Sequence, residues 1–163
     1  MDEGERATKL RTWWKAAVAI AAALFVLVFG KAIGAAIGTI VSDRMGSGYS
    51  EARQNDALKR GLDEAARAIR EQAPIQVDES TTLVGALSSG REITYLYTLS
   101  FDIPPESLGE AEAELQEQNQ QRVCSEERTR ELISAGGAMS ANYNDESGDI
   151  LRTRVTSCPD NAA

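Results

Sequence analysis

Glu92-Ile93-Thr94-Tyr95-Leu96-Tyr97-Thr98-Leu99-Ser100-Phe101 is the stretch that decides the fold class. Ile93, Tyr95, Tyr97, Leu99 and Phe101 alternate with Thr94, Leu96, Thr98 and Ser100, and successive side chains of a strand point to opposite faces. The stretch therefore predicts a strand with its aromatic set against a core and its threonine set on a half-exposed surface. Upstream, Thr81 to Leu87 reads as the hairpin partner, with Ile75 to Val77 as an approach to it. Ser88-Ser89-Gly90 supplies a turn in which one residue is free to take positive φ.

On either side of this hairpin the period changes from two to about four. Leu58, Leu62, Ala65, Ala66, Ile69 and Ala73 fall on one face of a helix over 51–73. Asp63 with Arg67, and Arg67 with Glu71, are i,i+4 pairs on its other face, and Pro74 ends it. Downstream, Pro104-Pro105 stops the strand. Ser107 is placed to cap a second helix running to about Val123, with Glu110 as its reciprocal partner. The apolar face of that helix is thin (Leu108, Ala111, Leu115, Val123). Its tract EAEAELQEQNQQ reads as a solvated face, or as a docking surface for a basic partner. Ser125 is placed to cap a short third helix over 126–134, with Leu132 and Ile133 inward and Gly136-Gly137 as its stop. A second hairpin follows: Met139, Ala141 and Tyr143 alternate, 145–148 turns, and 149–157 returns to Cys158. Asp78-Glu79-Ser80 repeats as Asp145-Glu146-Ser147, and the repeat reads as chance.

Ahead of all this lies AAVAIAAALFVLVFGKAIGAAIGTIV, Ala16 to Val41, apolar but for Lys31. About 20 apolar residues suffice to cross a bilayer, so 16–41 predicts one transmembrane helix. Trp13 and Trp14 suit the headgroup layer at its start. Arg6, Lys9, Arg11 and Lys15 put the N-terminus in the cytosol by the positive-inside bias, and the bulk of the chain outside. A signal peptide cleaved near Ala36 is the competing reading. Lys31 either snorkels to the outer interface or lies deep and needs a carboxylate partner; the first is cheaper. Gly30, Gly34 and Gly38 form a ridge without side chains along the helix. Such a ridge lets two helices approach closely, although Gly and Ala are also simply common in spanning helices.

Of the 25 acidic and 17 basic residues, 22 and 12 lie after Val41, a balance of −10. That balance repels nucleic acid and anionic headgroups rather than binding them. The chain has no histidine, so the commonest general base and metal ligand are missing, and there is no lysine after Lys59 to activate a serine. Ser88 and Ser89 therefore read as turn residues. Carboxylates that could pair for glycan hydrolysis are Glu79, Glu92, Asp102, Asp145 and Asp149, with Glu92 and Asp102 the pair to test. The 145–149 turn could hold calcium weakly, but a plain hairpin turn accounts for it. Cys124 and Cys158 face an oxidising compartment in this orientation, where such a pair forms a disulfide.

Several local runs resemble a set of small, uncharacterised bacterial envelope proteins with a short anchor and a two-cysteine α+β periplasmic domain. They are Ile93-Thr94-Tyr95-Leu96-Tyr97-Thr98-Leu99, Val123-Cys124, Leu132-Ile133-Ser134-Ala135-Gly136, Tyr143-Asn144-Asp145 with Gly148, and Cys158. The resemblance spans 58–158, implies a bacterial envelope setting and supplies no catalytic residue.

The expectation is thus a basic cytosolic start (1–15), a transmembrane helix (16–41), a Gly/Ser joint (42–50), an α+β domain (51–158) and a tail (159–163). The domain order is helix, hairpin, helix, helix, hairpin, with an antiparallel sheet and the helices on one face. It has no cofactor or metal site. The function expected is a periplasmic interaction module in the inner membrane, without catalysis. It binds another envelope protein or itself through Gly30, Gly34 and Gly38, with Trp13, Trp14, Lys15 and Lys31 at the membrane interfaces. An immunity or phage-exclusion protein, and a carboxylate-pair hydrolase, are the alternatives.

Overall fold

The computed structural model describes residues 51–148 and 150–159. The expected span 16–41, with Trp13, Trp14, Lys15, Gly30, Lys31, Gly34 and Gly38, lies outside the described residues. So do the basic start, the joint and residues 160–163 of the tail. Among the described residues no helix is long and apolar enough to cross a membrane.

The domain is α+β. Helix α1 (Glu51–Gln72) leads to strands β1 (Ile75–Gln76), β2 (Thr81–Ser89) and β3 (Glu92–Leu99). A 3-10 turn (Pro105–Ser107), α2 (Leu108–Ser125) and α3 (Glu127–Ser134) follow, then β4 (Ala138–Asn144) and β5 (Ile150–Val155). The sheet order is β1-β2-β3-β4-β5.

Three expectations need correction. The sheet is mixed, because β3 and β4 run parallel, with Glu92 opposite Ala138 and Thr98 opposite Asn144. The cause is the element between them: parallel neighbours need a crossover, normally helical. The 18 residues of α2 return the chain about 27 Å at 1.5 Å each, which matches the roughly 26 Å climbed by the eight residues of β3 at about 3.3 Å each. The element order also differs: β1 is a separate two-residue strand, pairing Ile75 with Leu83 and Gln76 with Thr82, and a 3-10 turn precedes α2. Finally, Ser107 makes no side-chain cap bond, its backbone already being helical. Ser125 ends α2 rather than capping α3, its hydroxyl donating to Arg122 O.

Side-chain alternation sorts the sheet into two faces. Ile93, Tyr95, Tyr97 and Leu99 are buried, next to Met139, Ala141 and Tyr143 of β4 and Leu151, Thr153 and Val155 of β5. Phe101 lies beyond the strand end and packs on this core. Helix α1 packs on β2 and α2 on β5, so the helices ride over the outer strands of the same face. The tall residues of β3 and β4 fill the valley between them. Tyr97 and Tyr143 stack at 4.8 Å between ring centroids, and Tyr95 continues the row 6.5 Å from Tyr97. Burial pushes all three phenols up in pKa; the Glu126 charge adds to this for Tyr95, whereas the Asn119 hydrogen bond and the Arg122 charge pull back at Tyr143. At the end of α3, Gly136 takes φ +78°, a left-handed conformation strained for residues with a Cβ, which suits glycine as the stop.

Candidate functional site

The polar tract of α2 is two surfaces rather than one. Ala111, Leu115, Asn119 and Val123 form one i,i+4 row, and Gln116, Gln120 and Cys124 form the row beside it. Both turn toward the sheet. The Asn119 amide donates to Thr153 Oγ1 at 2.8 Å and to the Tyr143 hydroxyl at 3.1 Å, which gives two otherwise costly buried hydroxyls a partner. Gln116 meets β5 at its edge: it accepts from the Arg154 N–H at 2.8 Å and donates to Arg154 O at 3.0 Å. A side-chain amide thus makes the pair of bonds that a further strand would make. Gln120 donates to Ser157 O at 2.5 Å. Cys124 then closes the row through its disulfide to Cys158, with Cα atoms 5.4 Å apart. The tract read as solvated is on this side an edge seal.

The opposite sheet edge is closed from α1. Beyond the two residues of β1, Arg70 Nη1 donates to Ala86 O at 2.7 Å, and Ser88 Oγ donates to Asp63 Oδ1 at 2.5 Å. Unpaired strand edges invite pairing with other chains, and here a polar side chain of a helix occupies each edge at one residue, Ala86 on β2 and Arg154 on β5. Solvent meets the remaining side of α2, where Glu110 and Glu117 are exposed and Glu114 half-buried; Glu112, also exposed, heads the row of Gln116 and Gln120.

On the far face of the sheet Glu92 accepts from Ser140 Oγ and pairs with Arg154 Nη2 at 2.9 Å. Partial burial raises the Glu92 pKa, but the Ser140 and Arg154 hydrogen bonds and the Arg154 charge outweigh it, leaving the carboxyl below its usual value. A general acid for glycan cleavage needs the reverse. Asp102 follows the other end of β3, whose eight residues span about 26 Å, against the roughly 5–9.5 Å a hydrolytic pair requires. The carboxylate pair proposed from sequence is not brought together.

Asp145 is structural. Its Oδ2 accepts from the Ile103 N–H at 3.1 Å and its Oδ1 from Ser147 Oγ at 2.7 Å, tying the loop after β3 to the β4–β5 turn. Asp78 accepts from both the N–H and the hydroxyl of Ser80. In both Asp-Glu-Ser runs the serine hydroxyl donates to the aspartate two residues before it. Among the described residues no cluster of three or more His, Cys, Asp or Glu is placed to hold a metal ion.

No protein-family profile matches the chain, and no curated protein matches it in sequence. Solved structures with a similar fold include a Pseudomonas aeruginosa protein assigned to the secreted class, at 15% identity and a TM-score of 0.51, over 66% of this chain and 95% of that one. EpsS, the pilotin of the Vibrio vulnificus type 2 secretion system, matches at 14% identity and a TM-score of 0.54, over 65% and 94%. AspS, a type II secretion pilotin of Vibrio cholerae, aligns at 15% identity and 0.49, over 64% and 94%. At these identities what is shared is the fold: a five-stranded α+β domain of the kind also found in a bacterial secretion pilotin.

Proposed function

We propose that the chain is a non-catalytic interaction module of the bacterial envelope. In this reading 16–41 cross the inner membrane once, 1–15 stay in the cytosol, and the domain stands in the periplasm. There it binds a component of an envelope machine such as a secretion system. The observation that carries the reading is a disulfide-closed domain with the fold of a type 2 secretion pilotin. A disulfide persists in an oxidising compartment, which agrees with the orientation drawn from the basic start. The docking surface is the outer side of α2, where Glu110 and Glu117, seven residues apart on one helix face, stand exposed and would steer a basic partner. Gly30, Gly34 and Gly38 would support packing of the membrane helix against the partner's helix or a second copy.

The test is purification of the full chain from its native envelope in mild detergent. A discrete envelope protein should accompany it, and Glu110→Lys with Glu117→Lys should release that protein without altering thermal unfolding. Recovery of a lone monomer would overturn the reading. Gly34→Leu should abolish any crosslinked dimer in the membrane; unchanged dimer would remove the glycine ridge from the account.

A further inference from the structure

The far face of the sheet is broad and, among the described residues, no helix covers it. Its chemistry departs from the domain average. The register sets Leu87, Thr94, Ser140 and Arg154 in one row across four strands, and Leu96, Asn142 and Arg152 in the next. Thr82, Thr98, Asn144 and Ile150 form a third row. Its charged groups on the strands are Arg152, Arg154 and Glu92, and Glu92 is already bound to Arg154. A domain with a large acidic excess therefore presents one face on which cations lead. Leu87 and Ile150, among the few large apolar side chains the domain leaves exposed (53% and 49%), lie toward opposite sides of this face, on β2 and β5.

The length of chain before the domain says what meets this face. Helix α1 begins at Glu51, and nine residues, 42–50, lie between it and the end of the apolar stretch at Val41. Nine residues reach at most about 32 Å even when fully extended. If 16–41 anchor the chain, the domain is held at the bilayer at a high effective concentration, and a weak intrinsic affinity is enough to dock it. The glutamates of α2 are repelled by anionic headgroups. The arginines opposite them are attracted, and at ordinary ionic strength charges beyond about 8 Å are screened, so the nearest face decides rather than the net charge.

We propose that the far face of the sheet rests on an anionic lipid surface. Arg152 and Arg154 reach the phosphates, Leu87 and Ile150 insert at the headgroup boundary, and α2 points away from the membrane toward its protein partner. This rests on the reading of 16–41 as a membrane anchor.

The test places a photo-crosslinking amino acid at Leu87, Ile150, Glu117 or Phe25 of the full-length chain, reconstituted in nanodiscs of phosphatidylcholine with or without phosphatidylglycerol. Leu87 and Ile150 should form lipid adducts several-fold more than Glu117 in the anionic discs. The excess should vanish in neutral discs, and with Arg152→Glu at unchanged thermal unfolding. Phe25 should form lipid adducts in both. Adducts at Phe25 with no excess at Leu87 and Ile150 would overturn the inference and leave the anchor intact. No adduct at Phe25 would overturn the anchor, and the inference with it. Protein rather than lipid adducts at Leu87 would assign the face to another chain and also overturn it.

Discussion

On β3, Ile93, Tyr95, Tyr97 and Leu99 lie buried beneath the helices, while Thr94, Leu96 and Thr98, each one residue along, stay half-exposed. The same alternation runs through β5, where Leu151, Thr153 and Val155 face inward and Arg152 and Arg154 outward. The helix side is filled by three tyrosines and aliphatic neighbours, and two of its buried hydroxyls, those of Tyr143 and Thr153, bond to Asn119 of α2. The far side is small, polar and cation-led. One face holds the fold together and leaves the other free to vary with whatever it meets, which is where binding chemistry can sit at little cost in stability.

The contrast can be broken by substitution. Tyr97→Ala should cost about 3–5 kcal/mol, and Thr94→Ala, one pleat away in sign, about 0.5 kcal/mol or less; urea unfolding of both measures the difference, and equal losses would erase the two-face account. Replacing Cys124 and Cys158 by serine should cost roughly 3–4 kcal/mol in the chain-entropy picture of a loop this long, read as a lower unfolding midpoint that added reductant no longer changes.

Alkaline titration sharpens the same point. Tyr95, Tyr97 and Tyr143 have raised pKa values, chiefly from burial. Their neutral forms contribute stability in full below about pH 10, and that stability is lost as pH rises through the folded values. Ultraviolet titration should show these three of the four tyrosines ionising only together with unfolding; reversible ionisation of all four in the folded protein near pH 10 would contradict their burial.

Smaller effects separate the two sides of α2. Asn119→Ala should cost about 1–3 kcal/mol, because it strips partners from Tyr143 and Thr153, while Glu117→Ala should leave the unfolding midpoint unmoved. A small effect also belongs to Glu92→Gln, which should change stability by less than about 1 kcal/mol, since the Arg154 side chain is largely exposed. The Glu92 pKa is lowered, so its contribution is present above about pH 4.3 and fades as pH falls through the folded value; a sharp loss of stability near pH 6 in wild type, absent in the variant, would refute this.

Much of the fold was legible because local periodicity carries it. The alternation at 93–99 named the central strand and its inward set. The Leu58-to-Ile69 stripe named α1, and Leu132 with Ile133 named α3. The parallel pairing was missed because each hairpin was read alone, although a strand, a helix of matching length and another strand is itself the signal for a crossover. The edge seal was missed for a different reason. Gln116, Asn119 and Gln120 continue the i,i+4 rows of Ala111, Leu115, Val123 and Cys124, but a pattern scored on hydrophobicity treats an amide as solvent-facing. Such residues become inward when a strand edge offers unpaired N–H and C=O groups, and that depends on topology. The Glu92–Ser140–Arg154 cluster joins three strands, so no local run announces it.

The outer side of α2 is the part of the account on which function turns. A photo-crosslinker at Glu117 of the full chain, activated in living cells and followed by mass spectrometry, tests it directly. The account predicts one discrete envelope-protein adduct, lost with Glu110→Lys. Adducts to lipid alone, or none with the protein present at its normal level, would contradict it.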